Sequence, residues 1–271
     1  PLGLSLGQAK QMKAIIKNLG WQQITPLNHS VLLLRPGHVL KSRLPVGTRH
    51  LAWALISASN LARQARRIAR STPGDAQSFQ IHEVQRFETR HDQLWQRAAG
   101  DITCAVVRDA AFLNWKWVDQ PGQDFVRIEL IHNGECQGVA VLVLRPPSPP
   151  DKFTRAHLLD LVVPLGSPDL VRMLLQGVID KASQMGAGLL DCHHHDERLS
   201  IQLKKLGFRT RSPQRFFWVH LPDDCDSNLR RAWLEPRNWF LSEGDSDIDR
   251  PPPFALMREA AIATSPQSER R

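Results

Sequence analysis

The segment Lys17-Asn18-Leu19-Gly20-Trp21 returns late in the chain as Lys204-Lys205-Leu206-Gly207-Phe208. Setting Gly20 on Gly207, 187 positions later (207 − 20), also aligns Ile16 with Leu203, Thr25-Pro26 with Ser212-Pro213, and Leu34 with Leu221. Agreement over that span implies two copies of one unit, so the fold must be one that packs two such units together. Each copy reads as a helix that stops at glycine, because the residue past a helix end commonly takes the left-handed conformation that glycine adopts without a Cβ clash. The aromatic that follows opens a strand. Residues 31–34 and 216–221 then read as return strands, which makes a hairpin in each copy.

The later unit reads as beginning near Glu83, and the same offset places the start of the earlier one about a hundred residues ahead of Pro1. Four segments follow from this. Residues 1–36 are the C-terminal remnant of a first unit, 37–82 a helical connector, 83–221 a complete second unit, and 222–271 a partly disordered extension. In the connector, residues 49–70 carry a helical pattern with Arg63, Arg66, Arg67 and Arg70 at helical spacing, which reads as a solvated face.

Composition narrows the class. With 42% hydrophobic residues the chain can bury a core, and its four cysteines contain no C-x-x-C pair, which favours a reducing cytoplasmic setting over a disulfide scaffold. The longest apolar run, residues 139–144, is far short of the roughly 20 residues needed to span a bilayer. A net charge of +8 attracts polyanions, but the basic residues are not interleaved with aromatics as nucleic-acid motifs require, so no nucleic-acid partner is expected.

Within the second unit the pattern predicts a helix over 84–99 ending at Gly100, then residues 110–117, whose Trp115 and Trp117 alternate as strand residues do and read as packing anchors. Strands over 125–132 and 136–144 flank Asn133-Gly134, a strong hairpin signal. A strand over 157–163 follows. From Pro168 to Met185 the apolar residues form one stripe of an amphipathic helix, with Ser167 as N-cap, Pro168 in the first position and Gly186 at the stop. A strand over 188–192 and a helix over 199–206 lead to the second copy of the repeat. The expected fold is α/β: a mixed, mostly antiparallel sheet with helices on both faces, one complete copy preceded by the end of another.

This order, with its Leu-Gly-aromatic turn after the last helix, resembles the GNAT superfamily of N-acetyltransferases. Leu113-Asn114-Trp115-Lys116-Trp117 and the segment from Asn238 to Asp249 look like uncharacterised bacterial members associated with polysaccharide gene clusters. The resemblance implies transfer of an acetyl group from acetyl-CoA to an amine on a small molecule or sugar. It also implies that the backbone of Leu161, Val162 and Val163 holds the pantetheine arm, while Gly166 and Ser167 face the pyrophosphate at a helix N-terminus. The expected loop reads Gln/Arg-x-x-Gly-x-Gly/Ala, but here it is Pro164-Leu165-Gly166-Ser167-Pro168-Asp169. Pro168 removes a donor there, and Asp169 adds a carboxylate. The family's proton-donating tyrosine would fall at Leu203 and at Ile16, and the chain has no tyrosine, so water or a cysteine would have to replace it. Both departures point to a degenerate second copy, with any working site in the first.

Asp160, inside the apolar strand 157–163, is the candidate catalytic base, since burial raises a carboxyl pKa toward neutrality. His194 or His195, beyond a strand end, is placed to line the cleft, and His194 is taken as the second catalytic candidate. Asp191-Cys192-His193-His194-His195-Asp196 is not expected to hold a metal, because successive strand residues point to opposite faces. Asp245, Asp247 and Asp249 open like a calcium loop but lack its glycine and glutamate, so the match fails. The rival to an acyltransferase is a non-catalytic binding or scaffolding module, and an aminoacyl-transferring relative is a third possibility. A homodimer is compatible with either.

Overall fold

The computed structural model describes residues 2–7, 10–36, 39, 79–121, 124–147 and 152–246. The arginine-rich pattern of the connector and the positions Asp247 and Asp249 lie outside them. Eight strands form one sheet in the order β1-β8-β2-β7-β6-β5-β4-β3. They are β1 (Gly3–Gly7), β2 (Gln22–Leu33), β3 (Phe79–Glu83), β4 (Phe125–His132), β5 (Glu135–Arg145), β6 (Arg155–Val162), β7 (Leu189–His194) and β8 (Arg209–His220). Every neighbouring pair is antiparallel except β6 and β7. The helices are α1 (Lys10–Asn18), α2 (Thr89–Ala99), α3 (Ala110–Trp117), α4 (Pro168–Gln184), α5 (Glu197–Lys205) and α6 (Ser227–Leu234). The class is the expected one, α/β with a mostly antiparallel sheet and helices on both faces. None of the helices described is long and apolar enough to cross a membrane.

Helices α4 and α5 cover one face. The stripe read from the sequence is the buried one, with Val171, Leu174, Leu175, Val178, Ile179 and Ala182 packed on Leu142, Leu158 and Leu190. Helices α2 and α3 cover the opposite face through Leu94, Leu113 and Trp117 against Val139, Val141 and Leu159. The β4–β5 hairpin turns on Asn133 (φ 51°) and Gly134 (φ 80°), the paired positive angles its sequence requires.

The two repeat segments adopt the same local structure, position for position. Shifted by 187, the bounds of α1 and β2 become those of α5 and β8. Both helices end in the same bonds: Gly20 N donates to Lys17 O and Trp21 N to Ile16 O, as Gly207 N does to Lys204 O and Phe208 N to Leu203 O. Gly20 and Gly207 take φ of 81° and 93°, the left-handed cap glycine provides. Strand β1 pairs antiparallel with β8 as β7 pairs with β2, the two registers agreeing to within one residue under the shift. Strands β2 and β8 lie side by side, antiparallel. Each therefore sits beside the other repeat's preceding strand, an exchange that joins the two repeats in one sheet.

Four local expectations are corrected. Neither repeat forms a hairpin, because β2 and β8 are single strands and Pro213 falls where the β2–β8 register shifts between Leu27/Arg215 and His29/Arg211. Residues 110–117 are helical, so Trp117 is fully buried while Trp115 is 60% exposed. Residues 84–88 precede the helix rather than belonging to it, and the edge strand β3 comes before them. Ser167 holds the N-cap position of α4 without a side-chain hydrogen bond.

Candidate functional site

Strands β6 and β7 pair from Arg155/Leu189 to Leu158/Cys192 and then part. Beyond that point β6 pairs, among the described strands, with β5 alone, which leaves a gap beside residues 159–162. The chain's own segment 239–246 occupies it. Trp239 bridges to Cys104, Phe240 N donates to Cys104 O at 2.9 Å, and Ser242 bridges to His194. A short 3₁₀ turn, Glu243–Asp245, then closes between the strands under a capping box made by Ser242 and Asp245. Only a cavity of about 10 Å³ remains, lined by Asp160, His193, His194, Phe240 and Ser242 among others. That is barely the room of one water molecule.

Asp160 is fixed inside this arrangement. Its Oδ1 accepts from Arg108 Nε at 2.9 Å, Ser242 Oγ at 2.9 Å and the backbone N of Leu161 at 3.0 Å, while Oδ2 has no hydrogen-bond partner. The Leu161 N–H is thus bound to the neighbouring carboxylate. Arg108, itself fully buried, also donates to Val106 O at 2.8 Å, Ser242 Oγ at 3.1 Å and Asp245 Oδ2 at 2.7 Å. Burial opposes its charge, but Asp160 and Asp245 outweigh that and hold its pKa above the usual value. Asp245 is pushed up by burial and by Asp160 against the pull of Arg108.

The histidine run splits among separate partners. His193 Nδ1 lies 3.1 Å from Glu243 Oε2, and its ring stacks on His29 with centroids 4.4 Å apart. His194 Nε2 lies 2.9 Å from Ser30 Oγ, and burial pushes its pKa down to about 4. His195 lies 3.2 Å from Thr25 Oγ1 and 2.9 Å from Pro236 O. Glu243 also accepts from Arg215 at 2.7 Å; burial raises its carboxyl, but the hydrogen bond from His193 and the nearby Arg215 bring it below the usual range.

The anion loop is also engaged within the chain. Gly166 N donates to Asp101 Oδ2 at 3.0 Å, and a Cβ at Gly166 would lie 2.6 Å from that oxygen. A carboxylate therefore takes this backbone donor. Asp169 is exposed and tied to Arg172 at 2.8 Å. Leu161, Val162 and Val163 are buried, and Ser167 N closes a turn on Pro164 O.

The structure brings Asp160 and His194 to the walls of one cleft, with Leu161 and Val162 beside them, while Gly166 and Ser167 lie in the separate loop before α4. Sequence reasoning missed Asp101, Arg108 and the pairing of Ser242, Glu243 and Asp245 with the cleft. The capping-box spacing Ser242-x-x-Asp245 was a usable signal for the turn. A lone arginine at 108 offered none.

No family model matches this chain, and no curated protein does. Solved structures give weak likenesses. A GCN5-related N-acetyltransferase from Anabaena variabilis is 11% identical with a TM-score of 0.46, over 80% of this chain and 45% of that one. A probable N-acyltransferase from Enterococcus faecalis is 9% identical with a TM-score of 0.44, over 80% and 44%. The C-terminal domain of a putative lysylphosphatidylglycerol synthetase from Agrobacterium fabrum is 13% identical with a TM-score of 0.37, over 84% and 70%. The chain thus spans less than half the length of the first two.

Proposed function

We propose that residues 79–246 form a non-catalytic lobe with the architecture of an acyltransferase, which completes the sheet of the unit to which β1, α1 and β2 belong. Acyl transfer, most simply of acetyl from acetyl-CoA to an amine on a small molecule or sugar, is assigned to that other unit. In this lobe Asp160 and His194 hold structure instead of moving protons. The observation that carries the reading is the occupied cleft: segment 239–246 lies where a donor would thread, and Arg108 bonds it to Asp160. Displacing it would strand a buried arginine and two carboxylates, which costs several kcal/mol, in the range of about 3–5 for breaking a buried pair. The Asp101 carboxylate on Gly166 N opposes a pyrophosphate at the same time.

Titration calorimetry of the chain with acetyl-CoA tests this. No saturable heat is expected. Stoichiometric binding that disappears when Gly166 is replaced by valine would show a working donor site and overturn the assignment.

A further inference from the structure

On the opposite side of the hairpin from the α4 core, three buried side chains that play no part in the cleft converge beneath α2. His91 comes from the first turn of α2, Glu129 from β4 and Cys136 from β5, and all three are buried. Their ligating atoms lie within 4.8 Å of one another. His91 Nε2 and Glu129 Oε2 face each other at 3.3 Å without hydrogen-bond alignment, and neither atom has a hydrogen-bond partner. Cys136 Sγ makes a long contact to Gly138 O at 3.7 Å and lies beside the Glu129 carboxylate. Buried polar atoms without an aligned hydrogen bond are costly, so His91 Nε2 facing Glu129 Oε2, with a thiol beside them, sets three donor atoms around one point that an ion could bridge.

We propose that His91 Nε2, Glu129 Oε2 and Cys136 Sγ bind a zinc ion that clips α2 to the β4–β5 hairpin. One imidazole, one carboxylate and one thiolate are the donor types zinc accepts, and modest side-chain rotation brings such a trio to the roughly 2.0–2.3 Å it requires, with water as fourth ligand. One outer contact suits it and one must be given up. His91 Nδ1 lies 3.1 Å from Glu88 O, the carbonyl partner that fixes a ligating tautomer. Without the ion, Nδ1 instead accepts from Glu88 N at 2.8 Å in the α2 capping box, so binding moves the ring proton from Nε2 to Nδ1.

The charges facing the site are Arg90 and Glu88. Arg90 Nε lies 3.2 Å from Glu129 Oε2, which opposes a cation, but its side chain is 46% exposed and also reaches Glu88 at 3.3 Å and Glu129 Oε1 at 3.3 Å. It can release Oε2 while staying paired. Arg97 contacts the backbone O of Cys136 and leaves the sulfur free. On binding, the Cys136 S–H bond breaks, a zinc–sulfur bond forms, and the proton leaves to solvent.

The test is to strip the chain with chelator and titrate it with zinc alone, and in parallel with cobalt(II), which reports tetrahedral thiolate ligation by its visible and near-ultraviolet bands. One equivalent of either ion is expected, with a sulfur-to-cobalt band that Cys136→Ser abolishes and the control variants Cys104→Ser and Cys225→Ser retain. Should Cys136→Ser fail to fold, His91→Gln gives the same decision, since loss of one donor atom is expected to abolish uptake of one equivalent of either ion. Absence of stoichiometric uptake by the folded chain, or a sulfur band that survives Cys136→Ser, would overturn the proposal.

Discussion

Arg108 shows how much a single side chain organises. It is fully buried and donates to Asp160, Asp245 and Ser242, so its removal leaves two carboxylates facing each other without a counter-charge. Arg108→Met should lower unfolding free energy by about 3–5 kcal/mol in denaturant titrations. Asp160→Asn should cost less, because the amide oxygen keeps an acceptor for Ser242 and Leu161. The cleft histidines add a pH dependence with a definite sign. His194 has a folded pKa of about 4, below its ordinary value of 6.5, so it stays neutral in the fold while the unfolded chain takes up a proton. Its contribution is whole above about pH 6.5 and is lost as pH falls toward 4, amounting to about 3 kcal/mol. His193 acts in the same sense, and Glu243 and Asp191, both depressed, extend the loss further into acid; Asp245, raised, opposes them. Melting temperature should therefore decline below pH 6.5, and His194→Gln should flatten the upper part of that slope. At this scale the sequence singled out Asp160 as a polar residue in an apolar run and His194 as lying beyond a strand end, whereas His194 is the last residue of β7. The sequence could not give their partners, since Arg108 lies 52 positions from Asp160 and Ser242 lies 82.

The segment that fills the cleft is an element with an internal weak point. A Cβ on Gly244 would stand 2.8 Å from the Trp117 ring and 3.2 Å from Asp160, both buried. Gly244→Val should destabilise by about 1–3 kcal/mol. Because the damage falls between β6 and β7, hydrogen exchange should rise first at Leu161 and at 240–246 while α4 keeps its protection. Uniform loss of protection would mean that the segment is inseparable from the core. Elements with a clear period were legible: α4 from its stripe, β4 and β5 from Asn133-Gly134. The repeat's strands were misread because Thr25-Pro26 and Ser212-Pro213 look like turns, whereas register shifts absorb the disruption within continuous strands. Trp115 and Trp117 misled for a related reason, since two tryptophans at alternate positions suit a strand by propensity, yet Asp109 caps a helix there by accepting from Phe112 N.

The offset of 187 residues was legible in the sequence, but the exchange of strands was not, because it depends on which edges meet in space. Strand β8 is hydrogen-bonded only to β1 and β2, and β7 reaches β8 only through β2. The lobe over 79–246 thus has no direct pairing between its last strand and the rest of its sheet. A chain lacking residues 1–36 would leave all twelve residues of β8 without a ladder partner and expose one edge of β7. It would also uncover Phe217, Val219 and Leu221, which pack against Leu27. An unpaired apolar strand beside an open edge is a template for association between chains. The fragment 79–246 should therefore elute as aggregate or as a strand-exchanged oligomer in size-exclusion chromatography, while residues 1–246 remain discrete. Adding a peptide of residues 1–36 during refolding should restore part of the discrete species, since it supplies both missing neighbours. A folded, monomeric 79–246 whose β8 amides are protected without β1 and β2 would show that the lobe closes its own sheet, and the scaffold role assigned to it would then lose its structural basis.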